Sequence, residues 1–343
     1  MTSNAPASVG DAAQPASPKE RGGRRTAQGR GPSTPARPTF RQRLSRWDVK
    51  VSPYLYVLPF FLVFAVIGLY PMIYTGYLSF FSWPRFGATH GDAVGWANYA
   101  HVLRDPVFRK ALWNTIGIFL LSSGPQIVVA TVVAAWLDTN LRGRSWWRMS
   151  VLLPFVVAPA AAALIFGALF ADQTGLVNQL LDNLGLHAVE WHSNRLASWV
   201  AIASMVNWRW TGYNALIILA AMQAVPRDLY ESAVMDGAGR VQEFRHVTLP
   251  SIRLTMLFVI VTSTIGGLQI FTEPRLFDTN LQHQGGADYQ YQTLTMYVFN
   301  TANSSTDPYP RAAAAAWILF LVIVTIALVN FLLTRAVQRR RSR

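Results

Sequence analysis

LWNTIGIFLLSSGPQIVVATVVAAWL, residues 112–137, contains no charged side chain from end to end. An α-helix rises 1.5 Å per residue, so about 20 such residues cross the ~30 Å hydrocarbon core of a bilayer. A run of this length is too long for the core helix of a soluble domain. Five more apolar runs flank it, at 54–81, 151–170, 197–222, 254–271 and 312–333. Composition agrees, since 52% hydrophobic against 14% charged residues is skewed for a soluble chain of 343 residues. The sequence therefore predicts an all-α polytopic membrane protein with six transmembrane helices.

The net charge of +13 could suggest nucleic acid, but such binding needs basic residues gathered on one folded face. Here they are spread between apolar runs, which excludes that class. With six spans and an inner N-terminus, 22 of the 30 Lys and Arg residues fall in inner segments, 7 in outer ones, and Arg209 lies within a span. Excess positive charge marks the cytoplasmic side, so both termini are expected in the cytoplasm of a multi-pass plasma-membrane protein. Residues 1–48 are rich in Pro, Ser, Gly, Ala and Arg and cannot form a core. They read as a disordered basic cytoplasmic tail, solvated and setting topology in the preferred reading, with attraction to anionic membrane lipids as the alternative. A six-helix transmembrane domain follows at 49–336, then a second basic cytoplasmic tail at 337–343. Cysteine is absent, so no disulfide or thiolate metal site is available, and no metal ligands are expected.

The longest inner segment, residues 225–253, contains YESAVMDGAGRVQEFRHVTLP at 230–250. It is too polar for the bilayer interior. Pro226 and Asp228 can start a helix, and Gly237, Ala238 and Gly239 can break it into two short helices suited to docking. Glu231, Ser232 and Ala233, then Gly237, Val247, Leu249 and Pro250, resemble the loop motif of ABC importer permeases of the binding-protein-dependent, sugar-uptake type, the MetI-like family. That motif reads Glu-Ala-Ala, three residues, Gly, nine residues, Ile, one residue, Leu-Pro. Spacing here is unbroken, with Ser232 and Val247 the departures. The resemblance continues through Gly95, Asn98, Tyr99, Phe108, Asn114 and Thr115; through Leu153 and Pro154; through Gly175, Leu176 and Asn178; and through Gly285 and Gly286, where Ala287 replaces a family proline.

The resemblance implies a coupling helix that sits in a cleft of a separate ATPase, with Glu231, Ser232, Ala233, Asp236, Gly237, Ala238, Val247, Leu249 and Pro250 as contacts. It implies as partners a homologous second permease, two ATPase subunits and an extracellular solute-binding protein. ATP and Mg are expected on the ATPases and no cofactor on this chain. None of the three lysines follows glycine in a phosphate-cradling loop, which accords with a non-enzymatic subunit. The stretch Phe271-Thr272-Glu273-Pro274-Arg275 with Gly285-Gly286-Ala287-Asp288 further resembles permeases for cellobiose-like oligosaccharides.

A sugar that leaves water needs hydrogen-bonding groups at membrane depth. Gln126, Asn207, Trp208, Arg209, Trp210, Tyr213, Gln269 and Glu273 are the candidates. Arg209 stands some 12 residues into the fourth span, where a charge is costly and points to function; it either touches substrate or pairs with a carboxylate such as Glu273. Two rival classes remain. An ion-coupled secondary transporter would need acidic or His relays that the spans almost lack, and a membrane scaffold leaves the loop motif without a use.

Overall fold

The computed structural model describes residues 40–83, 91–139, 142–278, 285–304 and 308–341, with side chains described only between residues 51 and 332. The tail expected at 1–48 thus lies outside the described residues up to residue 39, and the side chains of both tails lie outside them. The chain divides at Phe64/Ala65 into two units. The first contributes α1 (Phe40–Val63), which contains Pro53 and Pro59. From Ala65 onward the chain belongs to the second.

A π-helical turn at Phe64–Leu69 leads into α2 (Tyr70–Leu78), with Pro71 in its first turn. Strands β1 (Phe81–Ser82) and β2 (Asp92–Ala93) pair antiparallel. Next come α3 (Ala97–Arg104), α4 (Pro106–Leu137), α5 (Arg144–Val156), α6 (Pro159–Leu169), α7 (Leu176–Asn183) and α8 (Arg195–Gln223). The loop expected on the inner side, and called the inner loop for that reason, holds α9 (Arg227–Met235), α10 (Arg240–Glu243), a π turn at Phe244–Thr248 and α11 (Leu249–Ser251). The chain continues through α12 (Arg253–Leu268), α13 (Thr272–Phe277), α14 (Leu294–Ala302) and α15 (Pro308–Arg341). The helical class expected from sequence is borne out.

By length and composition, three described helices can each cross a membrane: Val51–Leu78, Pro106–Leu137 and Pro308–Leu332. The third apolar run is not one helix but a pair, α5 and α6, bent by 86°; the fifth begins in the single helix α12, which leaves the preceding loop at a 72° bend between Ser251 and Arg253. The fourth, α8, is long enough, but Asn207, Arg209 and Asn214 at its centre dilute its apolar character. Large apolar side chains stay exposed along these helices, among them Phe60, Ile67, Leu120, Val132, Phe320 and Leu328, as a lipid-facing surface requires.

The scaffold is α4 and α8, which run parallel along each other. Both are capped at the start: Asp105 accepts from the Val107 amide at 2.8 Å and Asn194 from the Ala197 amide at 3.1 Å. Gly117 lets α8 close in, because a Cβ there would stand 2.1 Å from the Trp199 ring. At Gly212 a Cβ would stand 1.8 Å from the Val151 carbonyl, so α5 crosses α8 backbone to backbone. Pro125 cannot donate to the Leu121 carbonyl one turn earlier; Asn207 Nδ2 on α8 donates to it instead, at 3.4 Å, and α4 continues unbroken. One core, the inner core, lies at the inner-loop end of α4 and α8, where Ala130, Ala134, Ile218, Leu219 and Val259 meet. Another lies toward their starts, where Ile118, Ile202, Trp191, Phe277 and Tyr291 meet.

Candidate functional site

Gly237 shapes the inner loop. Its φ of +78° is left-handed, a conformation that glycine adopts freely. There α9 ends in paired bonds from the Gly237 amide to the Val234 carbonyl and from the Ala238 amide to the Ala233 carbonyl, each 2.9 Å, a Schellman closure. Gln242 Oε1 then accepts from the Gly239 amide at 2.9 Å and starts α10. The two-helix reading of this loop therefore stands. Its inner side is tied down by Phe244 and Leu249, which pack on the inner core, and by the Tyr230 hydroxyl 3.1 Å from Thr248 Oγ1. Its outer side leaves Val234, Met235 and Val241 exposed, Met235 at 87%. Of the loop candidates, Glu231, Ser232, Asp236, Gly237 and Pro250 are exposed, and Ala233, Ala238, Val247 and Leu249 half-buried.

Midway along α8, a cavity of about 200 Å³ opens between α4, α8 and α12. Its polar wall is a small network: Asn214 Nδ2 donates to Ser263 Oγ at 3.0 Å and to Gln126 Oε1 at 3.4 Å, and Ser123 Oγ donates to the Ser263 carbonyl at 3.3 Å. The amide nitrogen of Gln126 has no protein partner among the described residues. Trp210 and Tyr213 line the other side, and Tyr213 stacks on Phe155 at 4.5 Å. Gly267 brings α12 against α4, since a Cβ there would stand 2.7 Å from Ser123 Oγ. Such a wall of amide, hydroxyl and aromatic groups can exchange hydrogen bonds with hydroxyls and stack on a sugar ring.

The remaining candidates separate. Arg209 and Glu273 lie elsewhere, in a buried ion pair of 2.8 Å from Nη1 to Oε1, each carrying under 10% side-chain exposure. Among the two sequence readings of Arg209, the geometry is that of pairing with Glu273, which ties α13 to α8. Asn207 and Trp208 line a second cavity of about 320 Å³ on the far side of Gln126. Gln269 caps the end of α12 and lines neither cavity. Sequence reasoning missed Asn214, Ser123, Thr262 and Ser263. Asn214 stands one turn beyond Trp210, a spacing that could have found it; single hydroxyls in an apolar helix carry no comparable signal.

Around the starts of α4 and α8, Asn side chains pin the loops. Asn178 joins the Asp172 and Val189 carbonyls at 2.8 and 2.9 Å, and Asn98 joins those of Ser79 and Phe81 at 2.9 and 2.8 Å. Tyr291 is fully buried there, and burial first, with the charge of Asp278 next, holds its phenol above the ordinary value, hence neutral.

Residues 49–343 match the family model described as binding-protein-dependent transport system inner membrane component. An arabinooligosaccharides transport system permease protein of Halalkalibacterium halodurans is 32% identical over 84% of this chain and 90% of its own length. A lactose transport system permease protein of Rhizobium radiobacter is 30% identical over 87% and 98%. A chain from the crystal structure of a bacterial ABC transporter that imports the acidic polysaccharide alginate superposes with a TM-score of 0.71 at 23% identity, covering 86% of this chain and 99% of that one.

Proposed function

Since the chain belongs to the inner membrane components of binding-protein-dependent transport systems and is a permease subunit of an ABC importer, we propose that it forms half of an oligosaccharide pathway and takes its drive from separate ATPases. The observation that carries the cargo reading is the cavity beside Asn214. It offers hydroxyl, amide and aromatic groups, with no formal charge on its wall, which suits a neutral sugar better than an ion. Relatives named for arabinooligosaccharides and lactose support the same cargo class. In this reading a homologous second permease contributes the facing half, and an extracellular solute-binding protein delivers the sugar. Two ATPase subunits, which hold ATP and Mg, dock on the inner loop.

Exposed Met235, Val241 and Val234 supply the apolar centre of that docking surface, with Glu231 placed to meet a basic residue of the ATPase. Both termini then face the cytoplasm, in line with the 22 to 7 division of positive charge. The test is uptake of a labelled oligosaccharide by cells whose own gene for this chain is replaced by Asn214→Leu. Loss of the amide removes about 0.5–1.5 kcal/mol of hydrogen bonding, so the uptake KM rises roughly two- to tenfold at unchanged protein level. An unchanged KM would remove this cavity from the pathway.

A further inference from the structure

At the opposite end of α8 from the inner loop, a second polar recess of about 300 Å³ lies between the starts of α4 and α8 and the turn at 285–292. The turn is held in an uncommon backbone: Gly285 and Gly286 have φ of +94° and +91°, and Tyr289, the one non-glycine residue of this kind among the described residues, has φ of +54°. The two glycines adopt it freely, but the strain at Tyr289 persists only where surroundings fix it, and strain of that kind gathers at ligand clamps. Here Asn114 Nδ2 fixes it by donating to the Tyr289 carbonyl at 2.7 Å and the Gln292 carbonyl at 2.9 Å. The Trp199 indole donates to the Gln290 carbonyl at 3.1 Å.

The charges in this recess do not balance. Lys110 Nζ is matched by Asp288 at 2.6 Å. Arg195 is not matched: no described carboxylate lies within ion-pair distance. Its guanidinium is nevertheless positioned, donating from Nε to Asn114 Oδ1 at 3.1 Å and lying 4.8 Å over the Trp199 ring. Its terminal nitrogens have no partner among the described residues. A planar, oriented guanidinium with free terminal nitrogens matches a carboxylate in two-pronged fashion. Exposed Tyr289, at 41%, stands on the same rim.

We propose that this recess seats an Asp or Glu side chain of the extracellular solute-binding protein, held by Arg195 and flanked by Tyr289. The inference rests on the importer reading above. A protein partner fits better than a free anion because arginine and tyrosine are the side chains that most often anchor protein interfaces, and a small anion leaves Tyr289 without a role. The recess also faces away from the ATPase-docking loop: α8 spans 29 residues, about 44 Å, between them.

The test measures binding of the solute-loaded binding protein to the complete transporter in nanodiscs. Arg195→Gln weakens it about tenfold, Arg195→Lys less, and Ser193→Trp, which fills the recess but keeps the charge, also weakens it. Added salt weakens the wild type more than Arg195→Gln. Wild-type affinity in both Arg195→Gln and Ser193→Trp would overturn the proposal. So would galacturonate, as a free carboxylate, binding the wild-type recess and leaving binding-protein affinity unchanged. If the wild-type transporter does not bind the protein at all, the importer reading itself fails.

Discussion

At the scale of single residues, the main question is what a charge at position 209 does inside an apolar helix. Its guanidinium is held by Glu273 at 2.8 Å with both groups buried. Removing one partner of a buried pair strands the other and costs about 3–5 kcal/mol, whereas removing both is far cheaper. Arg209→Gln is therefore expected to lower the amount of folded protein in the membrane, and Arg209→Gln with Glu273→Gln to recover most of it. Detergent-stable protein on gel filtration reads both. A single variant with normal abundance and weakened sugar uptake would return Arg209 to the substrate path. The sequence made Arg209 conspicuous because charge is rare in a span. It named Glu273 as a possible partner but could not choose between pairing and substrate contact, since residues 209 and 273 are joined by tertiary packing alone. Asn214 escaped notice for the opposite reason: an uncharged amide is less conspicuous than a charge, and beyond its spacing from Trp210 only its bonds to Ser263 and Gln126 mark it.

At the scale of elements, prolines divide the helices in a way that pattern alone does not show. Pro125 leaves α4 intact because Asn207 meets the freed Leu121 carbonyl. Pro159 begins a new helix after Ala158, whose extended ψ of 135° is the conformation favoured before proline, and the third apolar run turns by 86°. Run lengths were legible in the sequence; bends were not, because they depend on what a neighbouring helix offers. Where α5 crosses α8, Gly212→Ala drives a methyl into the Val151 carbonyl. The expected outcome is loss of detergent-stable protein, as judged by thermal unfolding. Gly237 tests the inner loop differently. No atom lies within 4 Å of a Cβ placed there, so bulk is tolerated, but its φ of +78° costs most residues about 1–2 kcal/mol and Asn or Asp less. Gly237→Asn is expected to transport, whereas Gly237→Asp inserts normally but puts a charge into the docking surface and loses ATPase coupling. Equal uptake by the two variants would count against docking at this turn.

Across the whole molecule, the parts legible from the start were those set by long-range statistics: six apolar runs and a loop motif whose spacing held over 20 residues. Loop pinning by Asn98, Asn114 and Asn178 was visible only as family likeness, and its reason is geometric, since each amide donates to two backbone carbonyls of other segments. The central claim is that this chain conducts and couples while another polypeptide hydrolyses. The most direct measurement is ATP hydrolysis in proteoliposomes, comparing this chain alone with the assembly of both permeases and ATPase subunits, with and without solute-loaded binding protein. The account predicts no hydrolysis by the chain alone and hydrolysis by the assembly that rises when loaded binding protein is added; hydrolysis by this chain free of partners would contradict it.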